Sequence, residues 1–301
     1  MEFENRLPDE NVNYSIEHPL KEFAWLVIGV LGSLMLITLL LGYFAGELAA
    51  RLPYRYEKAL AGDIAKQLSS EKPSAQSLAI ERYLNTLAQR LVVQMQLPPD
   101  MQITVHYQDT STLNAFATLG ANIVIYRGLL QRLPDENALA MVLAHEIAHA
   151  ALRHPARSLG RGVAVGIMLS ALNTGMGRSA ASGALNTAGG LSLLKFSRDQ
   201  ERDADAAALS AIAALYQHVG GAQDLFRVLQ SAGSESLHIS MLSTHPLSQE
   251  RIENIAVLAQ ARGWALDGKR TPYAAHLKIE STETVTHAAP DSTPNIDVAT
   301  H

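Results

Sequence analysis

The sequence has 301 residues and contains no cysteine. Disulfide bridges and thiolate metal ligands are therefore excluded, and a bound transition metal would have to be held by histidine and carboxylate side chains. Basic residues are also in the minority, because the formal net charge is −5, and nucleic acid is not expected as a partner. With 48% hydrophobic residues, the chain can bury one good-sized core, with further segments at its ends.

Charge is missing altogether from residues 23–46, a run of 24 residues. As a helix this run would be about 36 Å long, enough to cross a hydrocarbon core of about 30 Å. Trp25 near one end and Tyr43 and Phe44 near the other suit the aromatic belts at a membrane interface. We expect one transmembrane helix in contact with a lipid bilayer. A cleavable signal peptide is the alternative, although a basic segment before the apolar run is missing.

The charges that flank the apolar run predict its orientation. Residues 1–22 are polar and acidic and are expected to have little structure of their own. Only Lys21 precedes the run closely, whereas Arg51, Arg55, Lys58 and Lys66 follow it. We expect a single-pass protein of a bacterial-type inner membrane, and the positive-inside rule predicts that the domain after the helix lies in the cytoplasm. The periplasmic face is the alternative.

Residues 135–154 carry the strongest chemical signal. Asp135 is a plausible N-cap, and apolar residues recur after it at helical spacing. His145 and His149 lie four residues apart on this helix, so both imidazoles project from one face and can reach one ion. Glu146 follows the first histidine and can take a proton from a water molecule that the metal activates. The pattern favours a metal-dependent hydrolytic site.

A hydrolytic zinc site needs a third protein ligand. His154 lies five residues after His149, which does not fit the pattern with a third histidine six residues on. A second helix is a better source, because residues 197–200 form a capping box and Glu201 and Asp205 follow on one helical face. Glu201 could bind the metal, and Asp205 could orient a ligand histidine by accepting its other ring N–H. Taken alone, the segment favours a solvated acidic face paired with Arg198 and Arg202, and only together with the first helix does it favour a metal ligand.

Four motifs together resemble a known family. HEIAH, then ERDAD at residues 201–205, resembles the HtpX-like and CAAX prenyl endopeptidase-type zinc metallopeptidases, which are gluzincins with HExxH and ExxxD motifs. Asn114-Ala115-Phe116-Ala117, which leads to YRGLL at residues 126–130, resembles the family's strand pair. Thr244-His245-Pro246, followed by Glu250-Arg251-Ile252, resembles its closing motif. The resemblance covers roughly residues 77–264. One departure is Leu119-Gly120-Ala121, where the family often has Pro-Gly-Gly.

The resemblance implies an α+β, mostly helical zincin-type domain with a small sheet, preceded here by the transmembrane helix. Alternation and turn residues predict strands at residues 102–108, 114–118 and 122–126, with a turn at Gly120. The resemblance assigns the edge at Asn114, Ala115 and Phe116 to extended substrate, which would bind by backbone pairing. His245 would donate to the oxyanion of the tetrahedral intermediate, and Arg251 would support it or the carboxylates.

The domain organisation follows from these segments. We expect a juxtamembrane segment at 47–72, the metallopeptidase domain at 73–267, and a disordered tail at 268–301 that is poor in large apolar residues. Residues 162–194 hold only one charge, Arg178, and many small residues. We expect a helical hairpin there, which either covers the active-site cleft, lies against the bilayer, or is purely structural.

The function expected from the sequence is that of a membrane-anchored zinc endopeptidase with one Zn²⁺ per chain, held by His145, His149 and Glu201. The resemblance implies protein quality control, with misfolded or membrane polypeptides as substrates. The alternative is a membrane-tethered, chaperone-like binding module whose zinc site is structural or latched, with His154 or His245 as a fourth ligand. The sequence selects no oligomeric state.

Overall fold

The computed structural model describes residues 19–68, 73–172, 195–234, 241–246 and 248–277. Its helices are α1 Pro19–Arg51, α2 Tyr54–Leu60, α3 Gly62–Leu68, α4 Ala75–Met95, α5 Arg127–Leu130, α6 Glu136–Ala151, α7 His154–Leu172, α8 Arg198–Tyr216, α9 Asp224–Ser234, α10 Met241–Thr244 and α11 Gln249–Arg262. Its strands are β1 Thr104–Gln108, β2 Ala115–Thr118 and β3 Asn122–Tyr126. The expected mostly helical fold with a small sheet is confirmed.

The three strands form one sheet in the order β1-β3-β2. β1 pairs with β3 in parallel, and β2 pairs with β3 in antiparallel orientation. The chain turns between β2 and β3 through a 3₁₀ segment, Leu119–Ala121, in which Gly120 has a φ of 71°. Glycine adopts this left-handed conformation without the steric cost that a Cβ brings. β2 is therefore an edge strand that ends at a sharp turn.

The centre of the fold is α6, the helix that carries the two histidines. The Asp135 side chain accepts a hydrogen bond from the Ala138 N–H at 3.0 Å, as expected for an N-cap. Residues 136–150 are all buried, so the helix is enclosed on every side rather than along one stripe. It packs against α8, α4 and strand β2. A helix enclosed in this way holds its side chains in fixed positions.

The apolar helix extends beyond the expected residues 23–46, because α1 spans Pro19–Arg51. Among the described residues it is the one helix that is long and apolar enough to cross a membrane. α7 packs along it, and a methyl group on Gly160 would lie 2.5 Å from the Ala45 carbonyl oxygen. The first arm of the expected hairpin, residues 162–172, is the continuation of α7. Residues 173–194 lie outside the described residues.

The segment after α11 makes contacts with the start of α6. Arg270 donates from Nε to Asp135 at 2.8 Å and also forms an ion pair with Asp224. The Thr271 N–H donates to the Asn137 side chain at 2.7 Å. Residues 268–277 are thus tied to the start of α6 by charges and hydrogen bonds, although they are poor in large apolar side chains. The remainder of the expected tail, 278–301, lies outside the described residues.

Candidate metal centre

Four buried side chains converge at the centre of the fold. His145, His149, Glu201 and His245 each offer one ligand atom, and these atoms all lie within 4.8 Å of one another. The Nε2 atoms of His145 and His149 are 3.0 Å apart, as their spacing of one helical turn on α6 allows. The Glu201 carboxylate, from α8, lies 3.5 Å from each of these two nitrogens. The structure therefore brings the three expected ligands together and adds His245 to the group.

His145 is oriented from its other ring nitrogen. Its Nδ1 lies 3.0 Å from Asp205 Oδ1, which is the contact expected for a carboxylate that fixes a ligand histidine. Burial alone would lower the pKa of His145, but the Asp205 and Glu201 carboxylates raise it to about 10. These carboxylates thus favour positive charge at the position of His145. A bound cation would supply the same charge.

His149 is positioned by two residues that are not among the three expected ligands. Its Nδ1 lies 2.9 Å from His154 Nδ1, and its ring stacks on Phe196 with centroids 4.0 Å apart. Burial, followed by the nearby Arg157, lowers the pKa of His154 to about 4, so this imidazole is neutral. A neutral His154 can accept the Nδ1–H of His149 and leave Nε2 of His149 free to bind a cation.

The spacing between His149 and His154 does not match the known pattern with a third ligand histidine, and it gives no sign that His154 contacts His149. Phe196 directly precedes the capping box of α8, and no sequence signal distinguished it from an ordinary core residue. Its ring fills the space beside His149 because α8 begins next to the end of α6. Both residues are therefore recognisable only in the folded chain.

Glu146 lies beside the ligand group, and its carboxylate is enclosed by protein atoms. Its side chain is fully buried, and within the described part of the chain neither carboxylate oxygen has a hydrogen-bond partner. Nε2 of His245 lies 3.5 Å from Oε1. A buried carboxylate without partners is costly, so a further polar group is needed at this position. A water molecule and a metal ion beside it would meet that need.

Arg251, from α11, connects the two carboxylates of α8. It pairs with Asp205 through Nε and Nη2, both at 2.8 Å, and with Glu201 Oε2 through Nη1 at 2.7 Å. Burial would raise the pKa of Glu201, but hydrogen bonds with His145 and His245 hold it well below its usual range. Glu201 is therefore a carboxylate anion, the form that binds a cation. Arg251 lies on the carboxylates rather than on the ligand nitrogens.

His245 follows α10 in a turn, as its place before Pro246 predicts. Its N–H donates to the Met241 carbonyl at 2.8 Å, which fixes the backbone. Its Nδ1 lies 3.0 Å from Glu201 Oε1 and 3.3 Å from Nε2 of His145. His245 thus stands within the ligand group while its Nε2 faces Glu146. The same side chain can serve as a ligand or as a hydrogen-bond donor.

The expected substrate segment lies at the sheet edge. Asn114, Ala115 and Phe116 are all buried, and β2 packs against α6 and α10. On its other side β2 pairs with β3, and no further strand joins it in the part of the chain that the structure describes. The Asn114 Oδ1 atom is buried without a hydrogen-bond partner among the described residues. β2 is therefore an edge strand of the described sheet, and its residues are buried.

The residues present fit a divalent metal ion. Two imidazole nitrogens and a carboxylate oxygen converge, the other ring nitrogens lie 3.0 Å from Asp205 and 2.9 Å from His154, and the carboxylate is ionised. Imidazole and carboxylate donors with outer partners of this kind are typical of hydrolytic metal sites in proteins. Glu146, next to these ligands, is buried without a hydrogen-bond partner among the described residues. The centre is therefore suited to hydrolysis assisted by a metal.

Comparison with known proteins agrees with this arrangement. Residues 78–259 match the peptidase family M48. The chain is 28% identical over 222 residues to the beta-barrel assembly-enhancing protease of Yersinia pestis, which covers 68% of this chain and 44% of that protein. It is 30% identical over 208 residues to the mitochondrial metalloendopeptidase OMA1 of Schizosaccharomyces pombe, which covers 66% of this chain and 60% of that protein.

The aligned regions span about half the length of these two curated relatives. The family match nevertheless covers more than half of this chain and includes α6, α8 and the turn at His245. The resemblance drawn from the four sequence motifs is thereby confirmed. The chain belongs to the peptidase family M48.

Proposed function

We propose that this protein is a membrane-anchored zinc-dependent endopeptidase. His145, His149 and Glu201 would hold one Zn²⁺, the ion that two imidazoles and a carboxylate most often bind in hydrolytic sites. The observation that carries the proposal is Glu146, a fully buried carboxylate next to these ligands with no hydrogen-bond partner among the described residues. A structural metal site has no use for such a group.

The mechanism assigns a task to each side chain. The bound ion would activate a water molecule and polarise the peptide carbonyl. Glu146 would accept a proton from the attacking water and deliver it to the nitrogen of the leaving amine. His245, whose Nε2 faces Glu146 at 3.5 Å, would donate to the oxygen that becomes negative in the transition state. Asp205 and His154 would hold the two ligand histidines, and Arg251 the two carboxylates.

The edge of the sheet would hold the substrate. β2 packs against α6, which carries Glu146, and against α10, which leads to His245. An extended polypeptide paired with the edge at Asn114, Ala115 and Phe116 would therefore run past the reacting groups. Pairing with backbone groups is tolerant of sequence, which suits an endopeptidase that acts on misfolded polypeptides.

The position of the centre relative to α1 supports membrane-associated substrates. His154 contacts the ligand His149, and Arg157, one helical turn or about 5 Å further along α7, pairs with Glu47 of α1 at 2.9 Å. Glu47 directly follows the uncharged run of residues 23–46. The metal centre would thus face the membrane surface. The relatives' names include a mitochondrial metalloendopeptidase and a protease that enhances β-barrel assembly, and we propose a comparable role in protein quality control.

The charges that flank the apolar run support the topology expected from the sequence. Arg51, Arg55 and Lys58 follow the apolar run on the side of the metal centre. By the positive-inside rule this side would be the cytoplasm, with the N-terminal residues 1–22 on the opposite face. The peptidase domain would begin near residue 73 and, because of the contacts of Arg270 and Thr271, include residues up to 277.

The replacement of Glu146 by glutamine tests the enzymatic part of the proposal. Glutamine has nearly the same shape but cannot take up a proton, so Glu146→Gln should keep its zinc and its fold and lose cleavage of casein by at least about a hundredfold. Glu253→Gln makes the same chemical change on the exposed surface of α11 and should cleave like the wild type. Full activity of zinc-loaded Glu146→Gln would refute the mechanism.

One observation favours a second candidate function. His245 belongs to the ligand group, so a fourth protein ligand is within reach of the ion and the site could be structural or latched in a chaperone-like binding module. The variant His245→Phe separates the candidates. Lower cleavage with unchanged zinc supports the oxyanion role, higher cleavage indicates a latch, and loss of zinc without any cleavage in the wild type indicates a structural site.

A further inference from the structure

The turn that ends the substrate edge is held by the juxtamembrane helix α2. The Glu57 carboxylate accepts a hydrogen bond from the Gly120 N–H at 2.8 Å. The Tyr54 hydroxyl donates to the Gly120 carbonyl at 2.7 Å. Both side chains are buried, and Gly120 is buried between them. Two polar groups of one residue, its N–H and its C=O, are therefore held by two side chains of α2.

A third side chain ties this contact to the metal helix. Arg153 lies between α6 and α7 and has a φ of 61°, an uncommon conformation for a residue with a side chain. Its Nη2 atom lies 3.0 Å from Glu57 Oε2 and donates to the Leu52 carbonyl at 2.8 Å. Its guanidinium also lies 5.8 Å from the centre of the Tyr54 ring. The end of α6 is thereby joined to the segment that follows α1.

The packing around Gly120 leaves little room for movement. A methyl group at this position would lie 2.6 Å from the Ala61 Cβ atom, at the end of α2, and the backbone φ of 71° is unfavourable for other residues. Because Gly120 is bonded to α2 through its N–H and its C=O, and Glu57 of α2 pairs with Arg153, the end of β2 at Thr118 is linked to the end of α6. The position of the edge strand beside the metal centre depends on these contacts.

A buried carboxylate in this place calls for a reason beyond packing. Glu57 is 5% exposed, and burial raises its pKa, although Arg153 and the Gly120 N–H oppose this shift. An apolar side chain would fill the same space without a desolvation cost, but it could not accept the Gly120 N–H or bind Arg153. The geometry therefore uses this carboxylate for its two directed contacts, one with the turn and one with the end of α6.

We infer that Tyr54 and Glu57 are positioning residues for the substrate strand, so that the segment next to the membrane anchor is part of the catalytic apparatus. The inference rests on the proposed function, since it takes β2 to be the strand that pairs with substrate. It assigns a role in substrate binding to residues that touch neither the metal ligands nor Glu146.

The experiment uses the full chain in detergent and two matched hydroxyl deletions. Tyr54→Phe removes the hydrogen bond to Gly120 and keeps the ring, whereas Tyr56→Phe makes the same change at an exposed position of the same helix. Glu57→Gln is a further test variant, because it keeps an acceptor for the Gly120 N–H and loses the charge pair with Arg153. Each protein is assayed for zinc content, for kcat and KM with casein, and for amide hydrogen exchange of residues 113–121.

One net hydrogen bond corresponds to a change of about two- to tenfold. Tyr54→Phe, which loses such a bond, should therefore speed exchange in residues 113–121 and raise the KM for casein by factors in this range, with kcat and zinc content little changed. Glu57→Gln, which loses the charge pair between α2 and Arg153, should change exchange and KM in the same direction. Tyr56→Phe should match the wild type in every measurement. A purely structural role would instead lower zinc content, kcat and exchange protection of α6 together.

The outcomes separate this inference from the proposed function. Unchanged exchange in both Tyr54→Phe and Glu57→Gln would overturn the contact itself, whether or not the protein cleaves casein. Faster exchange without a rise in KM would overturn the positioning role while the peptidase remains. A wild type that binds zinc but cleaves nothing would overturn the proposed function and the substrate role of β2 together, and the exchange data would still report on the contact.

Discussion

Asp205 offers the sharpest test of how the protein holds its metal ligands. Its Oδ1 lies 3.0 Å from His145 Nδ1 and accepts from Arg251 Nη2 at 2.8 Å, while its Oδ2 accepts from Arg251 Nε at 2.8 Å. Asparagine has one acceptor instead of two. If its oxygen takes the place of Oδ1, its NH₂ group faces the Nε–H of Arg251, donor against donor. Asp205→Asn therefore loses one charge-assisted contact and weakens two others.

The magnitude follows from these contacts. Loss of an outer partner of a ligand histidine costs about 10- to 100-fold in metal affinity, or roughly 1.4–2.7 kcal/mol. The buried Arg251 also loses its bidentate partner, which should lower the free energy of unfolding by about 2–4 kcal/mol. We expect Asp205→Asn to bind zinc at least about tenfold more weakly than the wild type and to unfold at a lower temperature.

The assay is a competition for zinc between the full chain and a chromophoric chelator, with thermal unfolding measured in parallel. Asp203→Asn is the matched control, because Asp203 is exposed on the same helix two residues away. It should bind zinc like the wild type. Equal zinc affinity in Asp205→Asn and the wild type would refute the reasoning, because the contact between Asp205 and His145 would then contribute nothing to metal binding.

Two further predictions concern stability. Glu136 accepts hydrogen bonds from Tyr83, Arg90 and Tyr216, which hold its pKa below the usual value of 4.5 against the effect of burial. The stabilisation by the Glu136 carboxylate is therefore present above pH 4.5 and is lost as the pH falls through the lowered pKa. Glu136→Gln should have a free energy of unfolding about 1–3 kcal/mol lower than the wild type at pH 7, and nearly the same as the wild type in strong acid. A difference in thermal unfolding that does not depend on pH would contradict this. Gly160→Ala should separate α1 from α7 and lower the free energy of unfolding by about 1–3 kcal/mol, because its methyl group meets the Ala45 carbonyl. The methyl group of Gly162→Ala has open space, so this variant should not be destabilised. Equal melting temperatures of the two variants would argue against the packing of α7 on α1.

The chemical core of the site was accessible from the sequence because it depends on local geometry. Two histidines one turn apart on a helix must share a face, and the same holds for Glu201 and Asp205. Capping residues marked where both helices begin, and the structure shows both caps in place. The sequence also indicated the strands, since alternation and the turn at Gly120 are local features.

Contacts between distant segments were not accessible in the same way. His154 and Phe196 support His149 only because the start of α7 and the start of α8 meet at the end of α6. Arg270 lies in a polar segment that reads as a tail, yet its guanidinium bridges Asp135 and Asp224 from different elements. The composition of a segment indicates whether the segment can form a hydrophobic core of its own. It does not indicate whether a single charged side chain binds the segment to another part of the chain.

The juxtamembrane contact shows the same limit. Tyr54 and Glu57 read as ordinary residues of a short helix, and Gly120 as an ordinary turn residue. Their connection spans more than sixty positions of the chain, as the hydrogen bonds from Tyr54 and to Glu57 show. Only the folded arrangement reveals that the segment after the anchor reaches the sheet edge.

The central claim is that His145, His149 and Glu201 hold one zinc ion. X-ray absorption at the zinc edge, on the full chain and on Glu201→Gln, measures this directly. We expect one zinc per chain in the wild type, with imidazole nitrogens and carboxylate oxygen at about 2.0–2.2 Å. Glu201→Gln should lose most of its zinc or show an altered ligand shell. A wild type that binds no zinc, or a spectrum that Glu201→Gln leaves unchanged, would contradict the claim.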